Sequence, residues 1–116
     1  ALGGFDIAGM CGLMLGGAIY HIPIVLDGMI SVSAALLAQK LCPLVTDYLL
    51  ASHVGREPAC ELGLKRLGLE PLIHGRLALG EGTGAVLLFP LLDMAEAVYR
   101  QNKTFEDIRI KAYERY

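Results

Sequence analysis

The 116 residues suffice for one small domain with a hydrophobic core, and 54% hydrophobic against 19% charged residues excludes intrinsic disorder. A net charge of −2 with no basic block excludes an electrostatic footprint for nucleic acid. The three cysteines, Cys11, Cys42 and Cys60, show no Cys-x-x-Cys spacing and read as reduced, mostly buried thiols of a cytoplasmic protein rather than a disulfide framework or metal centre.

The chain opens at Ala1 and runs straight into Gly3-Gly4-Phe5-Asp6, with no signal-like n-region, and reads as a processed or truncated piece. The run 7–26 lacks Asp, Glu, Lys and Arg and is long enough to cross a bilayer. Gly9, Gly12, Gly16 and Gly17 weaken a lone helix, and His21 and Pro23 interrupt its end. A buried helix over 6–20 followed by a strand over 22–26 explains the same run without a membrane, with Gly12-x-x-x-Gly16 allowing close packing.

Asp27-Gly28 ends that strand, and a helix follows over 31–41, with Ser31 or Ser33 as its cap and Pro43 as its stop. A second apolar strand is predicted over 47–52, ending at His53. The next helix spans Pro58 to Leu67: Pro58 suits a first helical position, Gly68 suits the end, and Cys60, Leu64 and Leu67 form its buried face. A weaker third strand over 70–73 ends at His74-Gly75. The last helix runs over 84–101 with Thr83 as cap and Pro90 kinking or restarting it, before a charged tail over 104–116. This alternation predicts an α/β fold, a three-layer αβα arrangement with a parallel sheet of about three strands and helices on both faces. So small a sheet leaves open edges, which predicts self-association and a partial domain.

Ligands of open α/β sheets bind beyond the carboxyl ends of the strands, where three loops fall here: 27–31, 52–58 and 74–84. Asp27 is either a turn aspartate capping the next helix or a ligand contact. His53 offers a base or a phosphate donor, or a satisfied structural residue, and Arg56 an anion grip or a solvated loop charge. The run Leu79-Gly80-Glu81-Gly82-Thr83-Gly84 carries the most information. Glu81 is the only charge between Arg76 and Asp93, so it is either a helix-start anion or a placed acid/base.

Five segments in order resemble one family. They are Gly3-Gly4-Phe5-Asp6-Ile7-Ala8-Gly9, Val25-Leu26-Asp27-Gly28-Met29-Ile30-Ser31, Thr46-Asp47-Tyr48 through Ser52-His53, Glu57-Pro58, and Leu79-Gly80-Glu81-Gly82-Thr83-Gly84-Ala85. Together they resemble the C-terminal third of nicotinate-nucleotide–dimethylbenzimidazole phosphoribosyltransferases. The resemblance implies a Rossmann-like fold, with residues 1–116 as a C-terminal portion of the α/β domain. It implies transfer of phosphoribose from nicotinate mononucleotide to 5,6-dimethylbenzimidazole, giving α-ribazole 5′-phosphate for cobalamin lower-ligand synthesis. It puts the general base on Glu81 and substrate contacts on Asp27, Gly28, Ser52, His53, Gly55, Arg56, Leu79, Gly80 and Gly82. No metal or other cofactor, no nucleic acid and no membrane is implied, and members are homodimers. The family commonly has serine where this chain has Gly55, which leaves a backbone N–H or Arg56 to replace a hydroxyl contact. With the upstream two-thirds of such an enzyme absent, the isolated chain is expected to be inactive. The alternative of a different class is a non-catalytic α/β ligand-binding or interaction module.

Overall fold

The computed structural model describes residues 4–77, 80–103, 107 and 111. Leu79 and the rest of the tail therefore lie outside the described residues, as does the side chain of Arg76. Helix α1 (Phe5–Ile19) leads to β1 (Ile24–Leu26), α2 (Met29–Leu41), a 3-10 helix (Pro43–Tyr48), β2 (Leu49–Ala51), β3 (His53–Gly55), α3 (Pro58–Leu67), β4 (Ile73–Leu77) and α4 (Thr83–Gln101).

The predicted α/β alternation is present, but the middle and third strands differ from expectation. Residues 43–48 form a 3-10 turn because Pro43 starts it and the Thr46 hydroxyl donates back to the Pro43 carbonyl (2.9 Å), a local bond that competes with strand pairing. The third strand is Ile73–Leu77, so His74 and Gly75 lie inside it rather than ending it. Two parallel two-stranded ladders replace a single regular sheet: β1 pairs with β2 and β3 with β4. Ser52 joins them, its N–H donating to the Leu26 carbonyl (3.2 Å) and its carbonyl accepting from the Ile73 N–H (2.9 Å). The run 49–55 thus bonds β1 with its first half and β4 with its second. Between His53 and Gly55 the register slips, since β4 advances from Ile73 to Leu77 over the same stretch. Such bulges re-aim side chains at strand ends.

The core cluster takes Cys11 and Met14 from α1, Leu26 from β1, Val32 and three alanines from α2, and Cys60, Leu64 and Leu67 from α3. The predicted face of α3 is the buried one. Its end is closed by Gly68 at φ 74°, with the Leu69 N–H bonding the Leu64 carbonyl at 3.0 Å, the paired-bond ending that glycine permits. On the wet side, Lys65 Nζ lies 2.9 Å from Glu61 Oε1, and its hydrogen bond and charge hold the Glu61 carboxyl below the usual carboxylate range. A lowered folded-state pKa stabilises above the unfolded value and is lost as pH falls through the folded one, but water screens this exposed pair.

Away from the cavity, two helical glycines mark close approaches. A Cβ at Gly17 would meet Ile24 Cγ1 at 2.7 Å and the Ile22 carbonyl at 2.9 Å, whereas Gly12 and Gly16 face open space. The small-residue contact on α1 is therefore Gly17, not the Gly12-x-x-x-Gly16 pair. At Gly63 a Cβ would meet Val32 Cγ1 at 2.5 Å where α3 crosses α2. Gly63→Leu therefore lowers the unfolding temperature: overpacking costs about 1–3 kcal/mol, and the better helix propensity of leucine returns only about 0.5–1 kcal/mol. A thermal melt followed by circular dichroism checks this.

Among the described residues no helix is long and apolar enough to cross a membrane. Only Gly84 and Leu88 of α4 are buried. Leu87, Leu91, Met94 and Val98, at seam-like spacing along it, are exposed.

Candidate active site

The carboxyl ends of β1, β3 and β4 open onto one cavity of about 780 Å³. It gathers Asp27 and Gly28 after β1, His53, Gly55 and Arg56 from β3 and its loop, and Gly80, Glu81 and Gly82 after β4. All three predicted loops reach it. His74, by contrast, faces a separate hollow of about 460 Å³ beside Glu61 and Lys65. Ser52 is not on the wall: it is fully buried behind His53, its Oγ 2.9 Å from His53 Nδ1. That bond fixes the imidazole orientation. His53 is itself 4% exposed, so it reaches the cavity as a held ring rather than a free loop side chain. Leu79 lies outside the described residues.

Asp27 has a more specific placement than either sequence reading. Its Oδ2 accepts from the Gly82 N–H (3.0 Å) and its Oδ1 from the Ala85 N–H (3.1 Å). It caps α4, a helix far along the chain, not the helix that follows it. Those amides are among the orphan donors of a helix start, and the positive end of the dipole favours a carboxylate there. The next helix, α2, begins at Met29 with Gly28 as its cap, so neither serine caps it. The Ser31 hydroxyl instead accepts from the Asp27 N–H (2.9 Å) and donates to the Gly28 carbonyl (2.7 Å). Ser33 bonds back to the Met29 carbonyl. Thr83 likewise is the first helical residue rather than the cap, and its hydroxyl donates to the Gly80 carbonyl (2.9 Å).

Glu81 sits on the turn so closed. Its φ is 63° and that of Gly82 is 81°, a pair of left-handed residues between the Gly80 carbonyl and the Thr83 N–H. This φ pattern matches a type I′ turn, which favours Gly, Asn or Asp and disfavours a residue with a longer side chain. Glu81 is solvent-accessible and lines the cavity, so its carboxylate is reachable by a ligand there. No salt bridge holds it among the described residues.

Glu57, Cys60, Asp6 and Met10 also line the cavity and were not singled out as site residues from sequence. Asp6 carried a usable signal, as the last acid before the uncharged run 7–26. Among the described residues no His, Cys, Asp and Glu group could hold a metal ion.

The phosphoribosyltransferase family model matches residues 1–110. The nicotinate-nucleotide–dimethylbenzimidazole phosphoribosyltransferase of Clostridium acetobutylicum is 52% identical over 112 residues, 97% of this chain and 32% of the relative. That of Acetivibrio thermocellus is 44% identical over 113 residues, again 97% of this chain and 32% of the relative. The crystal structure of CobT from Thermus thermophilus superposes with a TM-score of 0.86 at 41% identity, covering 97% of this chain and 33% of that one. The chain thus spans about a third of the length of the relatives it matches. Sequence and fold agree over nearly its whole length, and the chain belongs to the nicotinate-nucleotide–dimethylbenzimidazole phosphoribosyltransferase family.

Proposed function

We propose that this chain is the base-bearing C-terminal portion of an enzyme that moves phosphoribose from nicotinate mononucleotide to 5,6-dimethylbenzimidazole. One benzimidazole nitrogen attacks the ribose anomeric carbon as the bond to the nicotinate ring nitrogen breaks. The departing electron pair stays on that nitrogen, which loses its pyridinium charge and needs no proton. The other benzimidazole nitrogen carries the N–H, and Glu81 takes that proton, leaving α-ribazole 5′-phosphate uncharged on the ring. His53 and the backbone at Gly55, Gly80 and Gly82 frame the substrates, and Arg56 at the mouth of the cavity suits the nucleotide phosphate.

The observation that carries this reading is Glu81, held at φ 63° on the rim of the cavity. A glutamate kept in an unfavourable backbone well, where its carboxylate meets a ligand space, points to function rather than stability. Glu81→Gln tests it in the Clostridium acetobutylicum relative with residues 1–116 of this chain grafted over the matching segment. A non-catalytic module would predict unchanged turnover in that graft.

These 116 residues alone, which cover about a third of the relatives' length, are expected to show no transferase turnover. A radiolabelled-base assay that detects α-ribazole 5′-phosphate above background overturns this. We further propose a cytoplasmic setting, supported by three free cysteines, and homodimeric assembly, supported by the exposed stripe on α4 and the short sheet with open edges.

A further inference from the structure

We infer that Asp27 is a positioning residue that acts through Glu81, not a substrate contact; this rests on the general-base reading above. Both of its carboxylate oxygens already accept backbone hydrogen bonds, from Gly82 directly after Glu81 and from Ala85 in the first turn of α4. Its own backbone is fixed by the Ser31 hydroxyl, which bonds the Asp27 N–H and the Gly28 carbonyl together. One side chain therefore ties the end of β1 to the turn that carries Glu81.

The tie matters because, among the described residues, few other contacts hold that turn. Glu81 occupies a left-handed conformation that a side chain disfavours, so the turn persists only if its surroundings over-determine it. From within, the Thr83 hydroxyl closes the turn on the Gly80 carbonyl. From outside, the described contacts are the Asp27 bonds and the burial of Gly84 and Leu88. Removing the carboxylate frees two helix-start amides and lets the glutamate drift from its working place. A displacement of about 1 Å at a reacting group costs about 10²-fold in rate.

The test uses the grafted full-length enzyme described above, with Asp27→Ala, Asp27→Asn, Glu81→Gln and the Asp27→Ala/Glu81→Gln pair. Asp27→Ala is expected to lower kcat by about 10²-fold with the nucleotide Kd within about twofold, the split of an effect confined to the transition state. Asp27→Asn keeps one acceptor oxygen and is expected to recover most of that loss. The double variant is expected to be no slower than Glu81→Gln alone, since residues acting as a unit are non-additive. A raised nucleotide Kd with unchanged kcat, or multiplicative losses in the double variant, overturns the inference. Amide hydrogen exchange in the grafted enzyme separates it from the base reading: Asp27→Asn should speed exchange at Gly82 or Ala85. Unchanged protection at both amides defeats the clasp, whatever Glu81 does. Full turnover in Glu81→Gln with lost protection at those amides defeats the base reading and leaves the clasp standing.

Discussion

Glu81→Gln in the grafted enzyme is expected to lower kcat by about 10²–10⁴-fold, the usual contribution of a positioned general base. Nucleotide affinity should stay within about twofold, because the substitution keeps shape and polarity and removes only proton acceptance. The loss should be smaller for an attacking base that is already deprotonated, since no proton then remains to be taken. Steady-state kinetics with both kinds of base, together with nucleotide titration, provides the check. Equal losses for both would show that Glu81 acts on binding or folding instead. Because the turn has φ 63° at this position, Glu81→Gly should relieve backbone strain while abolishing the base, so stability rises as turnover falls.

Gly84→Ala is expected to be the most damaging single-methyl change near the site. A Cβ at Gly84 would overlap the His53 ring at Nδ1 and Cε1 and would come within 2.9 Å of Asp27 Oδ1. The His53 ring cannot simply swing away, since it is buried and Ser52 Oγ holds its Nδ1. Either α4 lifts off and strains the Asp27 bonds, or the imidazole is driven from its place on the cavity wall. Overpacking of this kind costs about 1–3 kcal/mol, against at most about 1 kcal/mol returned by alanine in a helix. A fall in unfolding temperature of several degrees follows for a domain near this size, with loss of turnover in the graft. Gly84→Ala combined with His53→Ala removes the larger obstacle, leaving the Asp27 Oδ1 contact, and should recover part of the stability without activity. If Gly84→Ala alone leaves both unchanged, the close seat of α4 against His53 is not what shapes the site.

Much of this was legible in the chain. Pro58 and Gly68 bracket α3 because proline and glycine act through local backbone geometry alone. The buried face of that helix followed from spacing. The five ordered segments also identified the family that the comparisons show. The strands were harder. The segment His53-Val54-Gly55 has no apolar run, and only pairing with β4 makes it a strand. In the same way, Pro71 and the polar His74-Gly75-Arg76 hid the true extent of β4.

What sequence by itself determined was the helix-strand alternation, the ends of α3 and the isolation of Glu81 among glycines, since these depend on neighbours a few residues apart. Tertiary structure alone decided that Asp27 caps α4 rather than α2, that Ser52 stands behind His53, and that Glu81 rims a shared cavity. The Asp27 cap and the shared cavity join residues brought together by parallel pairing and helix crossovers. Ser52 and His53 are sequence neighbours, but pairing with β1 and β4 sets where they stand. A pattern of near neighbours carries no record of contacts made across more than fifty positions.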